Sequence, residues 1–307
     1  MSLWPYVVLT LAAVVFVLAR HLGDPWPKVL LPVATAAAFV AGWHLTCEWL
    51  AYDLKQLDGT MRHIELFPTP YQTLVGMERP IVDGTLLRYA VASVYRVAVG
   101  FTIAALLAIP IGLLAGWHLR AFQAINPLIQ ALRPISPIAW IPLAVLWFGV
   151  KDSSAVFLIA LASFFPIVTG TIAGVRSIPL VYVRSAQNFG LEGFELFRRV
   201  VLPAAMPQIL ISLRIALGIA WMVIVAAEMI AVDSGLGYLI MDARNASNYD
   251  RVVGAMIAIG LIGVGLDFGM RQLETFDEVR WGFPKESEAV RNWNIRVAIG
   301  GSVRLDK

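Results

Sequence analysis

Residues 97–117 read VAVGFTIAALLAIPIGLLAGW, without one charged or amide side chain. A helix advances about 1.5 Å per residue, so this stretch reaches about 31 Å, the depth of a bilayer's hydrocarbon layer. Backbone amides in lipid have no water to bond, so such a block is helical. Working outward, similar apolar blocks occupy 3–19, 29–50, 136–149, 154–175, 207–232 and 252–270. The chain is 59% hydrophobic and only 15% charged, well below the roughly 25% charged residues of soluble domains. An all-α integral membrane protein with seven spans is expected.

The connecting stretches read as loops. Residues 51–83 are polar and contain Phe67-Pro68-Thr69-Pro70, which cannot continue a helix. Residues 118–135 are mixed, 176–206 carry aromatics and arginines, and 271–307 form a charged tail. The block at 136–149 is interrupted by Pro137 and Pro142. At the start, Arg20 and His21 follow the apolar run rather than precede it, which fits an uncleaved helix better than a signal peptide. Stretches 20–28, 118–135, 176–206 and the tail hold fifteen Lys and Arg, against six in the opposite stretches, which places the former in the cytosol.

Several chemistries find no support. There is no G-x-x-x-x-G-K-[ST] phosphate loop, so the chain carries no ATP-hydrolysing apparatus of that kind. His21, His44, His63 and His118 lack metal-ligand spacing, and Cys47 stands alone, so neither a metal nor a cofactor is expected. A net charge of +3 gives no reason to expect nucleic acid. A membrane-anchored enzyme would need paired reactive groups that the spans do not offer. A secondary transporter or channel working without an ATPase would show broken helices in matched halves, and no inverted repeat is visible.

The stretch 180–206 reads LVYVRSAQNFGLEGFELFRRVVLPAAM. It suggests a short helix, a break at Gly190, a second short helix, and a stop at Pro203. Phe189, Phe194, Phe197 and Val201 supply an apolar surface beside Glu192, Glu195, Arg198 and Arg199. Such a surface suits docking; packing beneath its own bundle is the alternative.

The spacing resembles the E-A-A, three residues, G, nine residues, I-x-L-P signature of ABC importer permeases. Ala186 stands at the second alanine, Gly190 at the glycine, Val200 at the isoleucine and Leu202-Pro203 at the end. Arg184 and Ser185 replace the glutamate and first alanine, whereas the glycine-to-proline part is intact. Residues 133–149, with their proline breaks, resemble the nitrate/sulfonate/taurine/bicarbonate branch of these permeases. So do Ala226-Ala227-Glu228-Met229 with Ser234–Tyr238, and Phe67–Pro70 fits the segment before the core.

The resemblance spans about 64–282. It implies a type I importer fold with a five-helix core in a permease domain at 64–282, preceded by a pair of spans (1–63) and followed by a cytoplasmic tail (283–307). It implies a subunit of the bacterial inner membrane that imports a small anion and is surrounded by lipid. Its partners would be cytoplasmic ABC ATPases, a periplasmic or lipid-tethered binding protein, and a second permease copy. The coupling residues it marks are Arg184, Ser185, Ala186, Gly190, Phe194, Phe197, Val200, Leu202 and Pro203.

Ionisable residues within spans are functional candidates by default. Glu228 is the clearest, as a gate or path residue or as a solvated helix end. Arg88 and Arg96, near the outer mouth, could attract an anion or anchor the interface. Arg214 would snorkel to headgroups, and Asp267 would be solvated or paired.

Overall fold

The computed structural model describes residue 10, residues 26–58 and residues 68–274. Apart from residue 10, the first expected span, 3–19, and the tail beyond 274 lie outside the described residues. All regular structure within them is helical. Among the described residues, four helices are long and apolar enough to cross a membrane, and a bent pair makes a fifth crossing if taken as one span.

The chain divides into two compact units. The first comprises residues 1–93 and 233–261. Here α1 (Trp26–Asp58) contains the second expected span, and α2 (Pro70–Val82) follows. Much of the supposed loop at 51–83 is thus helical. Proline lacks an N–H, and a helix's first turn leaves its N–H groups unbonded, so Pro70 starts α2 without loss. Thr69 caps it, with Gln72 N–H donating to Thr69 Oγ1 at 3.4 Å and Thr69 N–H donating to Gln72 Oε1 at 2.8 Å. The Cys47 thiol points to the Pro68 carbonyl at 3.5 Å. α10 (Leu236–Asn245) is fastened by Leu236 N–H donating to Ser93 Oγ at 3.0 Å and by an edge-on contact of Tyr89 with Tyr238.

The second unit comprises residues 94–232 and 262–307. It holds α6 (Asp152–Arg176) and α9 (Leu202–Ala231) whole, most of α3 (Thr85–Trp117) and the second half of α11 (Tyr249–Glu274). α6 is the centrepiece, packed against α3 on one side and α9 on another. Glycines allow this closeness. A methyl placed on Gly112 would lie 2.6 Å from Thr171 Cβ, and one on Gly116 equally close to Val175 Cβ. On the α9 side, Gly170 meets Ser212. Lipid supplies no hydrophobic drive between spans, so backbone proximity and dispersion hold them.

Residues 118–135 are not a loop. They hold α4 (Leu119–Leu132), whose Phe122 ring lies 4.0 Å beneath the Arg176 guanidinium at the end of α6. A 3-10 turn (Pro137–Trp140) and α5 (Ile141–Phe148) follow, bent 84° from α4. α5 has 8 residues, about 12 Å of rise, so it crosses a bilayer only together with its neighbour. Gly149, at φ 76°, ends α5, and the Ser154 hydroxyl donates to its carbonyl.

Candidate functional site

The segment after α6 is built around one turn. α7 (Leu180–Asn188) ends where Gly190 takes φ 83°. Gly190 N–H donates to the Gln187 carbonyl at 2.9 Å and Leu191 N–H to the Ala186 carbonyl at 3.1 Å. These paired bonds define a Schellman ending, whose left-handed residue is cheap only for glycine. A methyl on Gly190 would meet nothing within 4 Å, so conformation rather than space selects glycine.

Beyond the turn, α8 (Gly193–Leu196) runs into a π turn (Phe197–Val201) and then into α9 without a stop. Leu202 N–H reaches back five residues to the Phe197 carbonyl. Pro203 has no N–H, and its ring crowds the carbonyl four residues earlier; the widened turn absorbs both demands. Pro203 therefore does not end the second helix. Residues 193–231 form one helix-like rod.

Leu196 and Val201 are buried and anchor the segment. Phe189 and Phe194 are 87% and 76% exposed, in company with exposed Leu180, Val181 and Tyr182. Arg184 and Ser185 are exposed, Ala186 is buried, Val200 is half-buried, and Glu195 pairs with Arg199 at 2.9 Å. Of the surface foreseen for this loop, Phe189, Phe194 and the four charged residues are exposed and Phe197 is half-buried, whereas Val201 is buried and belongs to the packing that fixes the segment to the bundle.

Two ion networks join helices of the same unit. Arg96 of α3 is 2% exposed and donates through Nη1 to Glu228 Oε1 of α9 at 2.7 Å. Its Nη2 and Nε face Asp152 Oδ1 in the first turn of α6, at 2.7 and 2.9 Å. Glu228 is wholly buried, whereas Asp152 is 63% exposed. In the second network, Arg214 of α9 donates to both Asp267 oxygens of α11, at 2.6 and 3.0 Å. Arg271 adds a third contact to Asp267 at 3.0 Å.

Over residues 108–275 the chain matches the family described as binding-protein-dependent transport system inner membrane components. The chain belongs to that family. An ABC transporter permease protein of Methanocaldococcus jannaschii is 43% identical over 80% of this chain and 90% of its own length. The taurine transport system permease protein TauC of Escherichia coli is 33% identical over 83% of this chain and 92% of its own. The nitrate import permease protein NrtB of Leptolyngbya laminosa is 34% identical over 77% and 84%. Among solved structures, the inward-facing MetNI methionine ABC transporter superposes with a TM-score of 0.58 at 14% identity, covering 67% of this chain and 99% of the matched one. This shared fold is the type I importer permease fold. The permease is a multi-pass inner-membrane protein.

In the permease, the coupling candidates from Arg184 to Pro203 form one continuous segment. The ionisable candidates do not form one site. Arg88 is exposed, with Thr85 Oγ1 3.5 Å away. Glu228 is not a solvated helix end, because Arg96 meets it out of solvent. Arg214 does not stand alone at the headgroups but is paired with Asp267. Asp152 escaped the sequence reading. Its position at the start of an apolar helix was the available signal, since a carboxylate is favoured there by the helix dipole.

Proposed function

We propose that the permease is half of the translocation path of an ATP-driven importer for a small anion of the nitrate, sulfonate/taurine or bicarbonate class. The exposed aromatic segment at 180–197, held by the Gly190 turn, is the observation that carries the reading. It offers an ATPase a stiff apolar surface with charged neighbours. The named relatives serve taurine and nitrate, which supports the anion class. Hydrolysis belongs to a separate cytoplasmic ATPase, substrate arrives on a periplasmic or lipid-tethered binding protein, and a second copy of this chain completes the path. Residues 64–282 act as the permease domain, 1–63 as an added pair of spans, and 283–307 as a cytosolic tail.

In this scheme, closure of the ATPase pair moves the 184–203 segments. Because α9 continues unbroken from the segment, the push enters a span directly, and helices transmit it as stiff rods. Arg88 is the exposed guanidinium available to an incoming anion. Arg96 and Glu228 already neutralise one another, so they act on the path by fixing α3, α6 and α9 at one end.

The test is co-purification from membranes in which the chain is expressed with its cognate ATPase and binding protein. Retention of the ATPase is expected. Gly190→Ala strains the left-handed turn by about 1–2 kcal/mol. It should lower ATPase retention and uptake together while leaving membrane insertion intact. A wild-type chain that never retains an ATPase returns the function to a transporter working alone.

A further inference from the structure

We infer that Trp117 is a positioning residue that passes movement of the docking segment into α3. The inference rests on the ATPase-docking reading above and concerns a residue outside the docking surface. Trp117 is the last residue of α3, and the chain turns extended at His118. Its ring meets Phe197 edge-on, with centroids 6.0 Å apart and planes at 67°. Phe197 in turn stacks on Phe194, at 6.4 Å and 26°. Phe194 lies on the exposed surface, so three rings connect that surface to the end of a span.

What surrounds the rings makes the connection specific. A cavity of about 530 Å³ opens between Pro110–His118 and Gly193–Phe197, and Trp117, Phe194 and Phe197 all line it. Along this line the segment and α3 are therefore joined by ring contacts with open space on one side and the packed cluster of Val175, Val201, Ala205 and Ile209 on the other. Farther along, α3 and α6 are locked backbone to side chain at Gly100, Gly112 and Gly116. A locked pair of helices moves as one body, and a segment beside a cavity has room to rock. Motion of the segment then reaches α3 at Trp117. Phe197 stands on the π turn through which the segment runs into α9, so it moves with that rod.

α6 carries the shift to the other end of the unit, about 37 Å away along its 25 residues. Val150 is exposed there, next to the start of α6. The test uses the full complex in proteoliposomes and needs no transported substrate. Cys47→Ser removes the native thiol, and Val150→Cys introduces a reporter for a membrane-impermeant maleimide. Trapping the ATPase with ATP and vanadate should change the reporter's labelling rate by about threefold.

With Trp117→Leu, which keeps apolar bulk without a ring, the ATPase should still co-purify and hydrolyse ATP within about twofold of normal while the labelling response disappears. Trp117→Phe should restore the response. Persistence of the response in Trp117→Leu, or failure of Trp117→Phe to restore it, overturns the inference while leaving docking intact. Loss of ATPase binding in Trp117→Leu also overturns it, because Trp117 would then shape the docking surface. Absence of the ATPase from the unmodified complex instead removes the docking reading beneath it.

Discussion

α9 carries two charged residues fourteen positions apart, Arg214 and Glu228, and the networks around them are opposites. Around Glu228, one guanidinium serves two carboxylates, and two of the three groups are out of solvent. Around Asp267, one carboxylate serves two guanidiniums, and all three groups are partly exposed. The first therefore holds Arg96 and Glu228 away from water, and the second leaves Arg214, Asp267 and Arg271 within its reach. With both Glu228 and Asp152 on its guanidinium, Arg96 is a clamp on three helices. Burial also sets what each network is worth. Breaking a buried pair leaves a charge without either partner or water, whereas an exposed pair hands its members back to solvent.

Glu228→Ala should have the largest effect. It takes the buried partner from the Arg96 guanidinium in a closed site, and the loss of such a partner costs about 3–5 kcal/mol. A lower melting temperature in detergent and reduced membrane abundance are the readouts. The double variant Arg96→Met with Glu228→Leu removes both charges and should recover most of that stability, because a packed apolar pair replaces a costly one. Uptake then separates the two roles of the pair. Recovered transport marks a scaffold; a stable but inactive double variant assigns the charges to the path itself.

Asp152→Asn should matter less, by about 0.2–1 kcal/mol, because water already reaches that carboxylate. It would also leave Arg96 and Glu228 balanced. A loss as large as that of Glu228→Ala would show that Asp152 is buried in the assembled transporter, for example beneath a second copy.

These networks were not legible in the sequence, for a definite reason. Glu228 and Arg96 are 132 positions apart, and hydropathy reports how far a residue lies from a span's end, not what faces it. The same measure identified α3, α6, α9 and α11, since long apolar runs have one stable form in lipid. It failed at α4, where Arg120, Gln123, Asn126 and Pro127 give the polarity of a loop to what is a helix alongside the bundle. It also placed the start of α9 too late, because Pro203 reads as a stop unless a π turn accommodates it. Gly190 was legible, since its demand is local: a left-handed backbone needs glycine wherever the rest of the fold lies. Trp117 stands in the sequence only as the end of a span, and the position of Phe197 distinguishes it.

The smallest effect belongs to the open network. Arg214→Met removes a pair whose members are partly exposed, and Arg271 remains to hold Asp267 at 3.0 Å. Stability should change little, with uptake within about twofold of normal, and raised salt should mask even that difference. The informative outcome is a kinetic one. If Arg214 meets the cargo on its way out, Arg214→Met should slow the maximal uptake rate while leaving the half-saturating concentration unchanged, since capture in the proposed scheme occurs on the binding protein. Equal rates with and without Arg214 would make this network a tie between α9 and α11 and nothing more. The asymmetry of the two clusters would then reflect their burial alone.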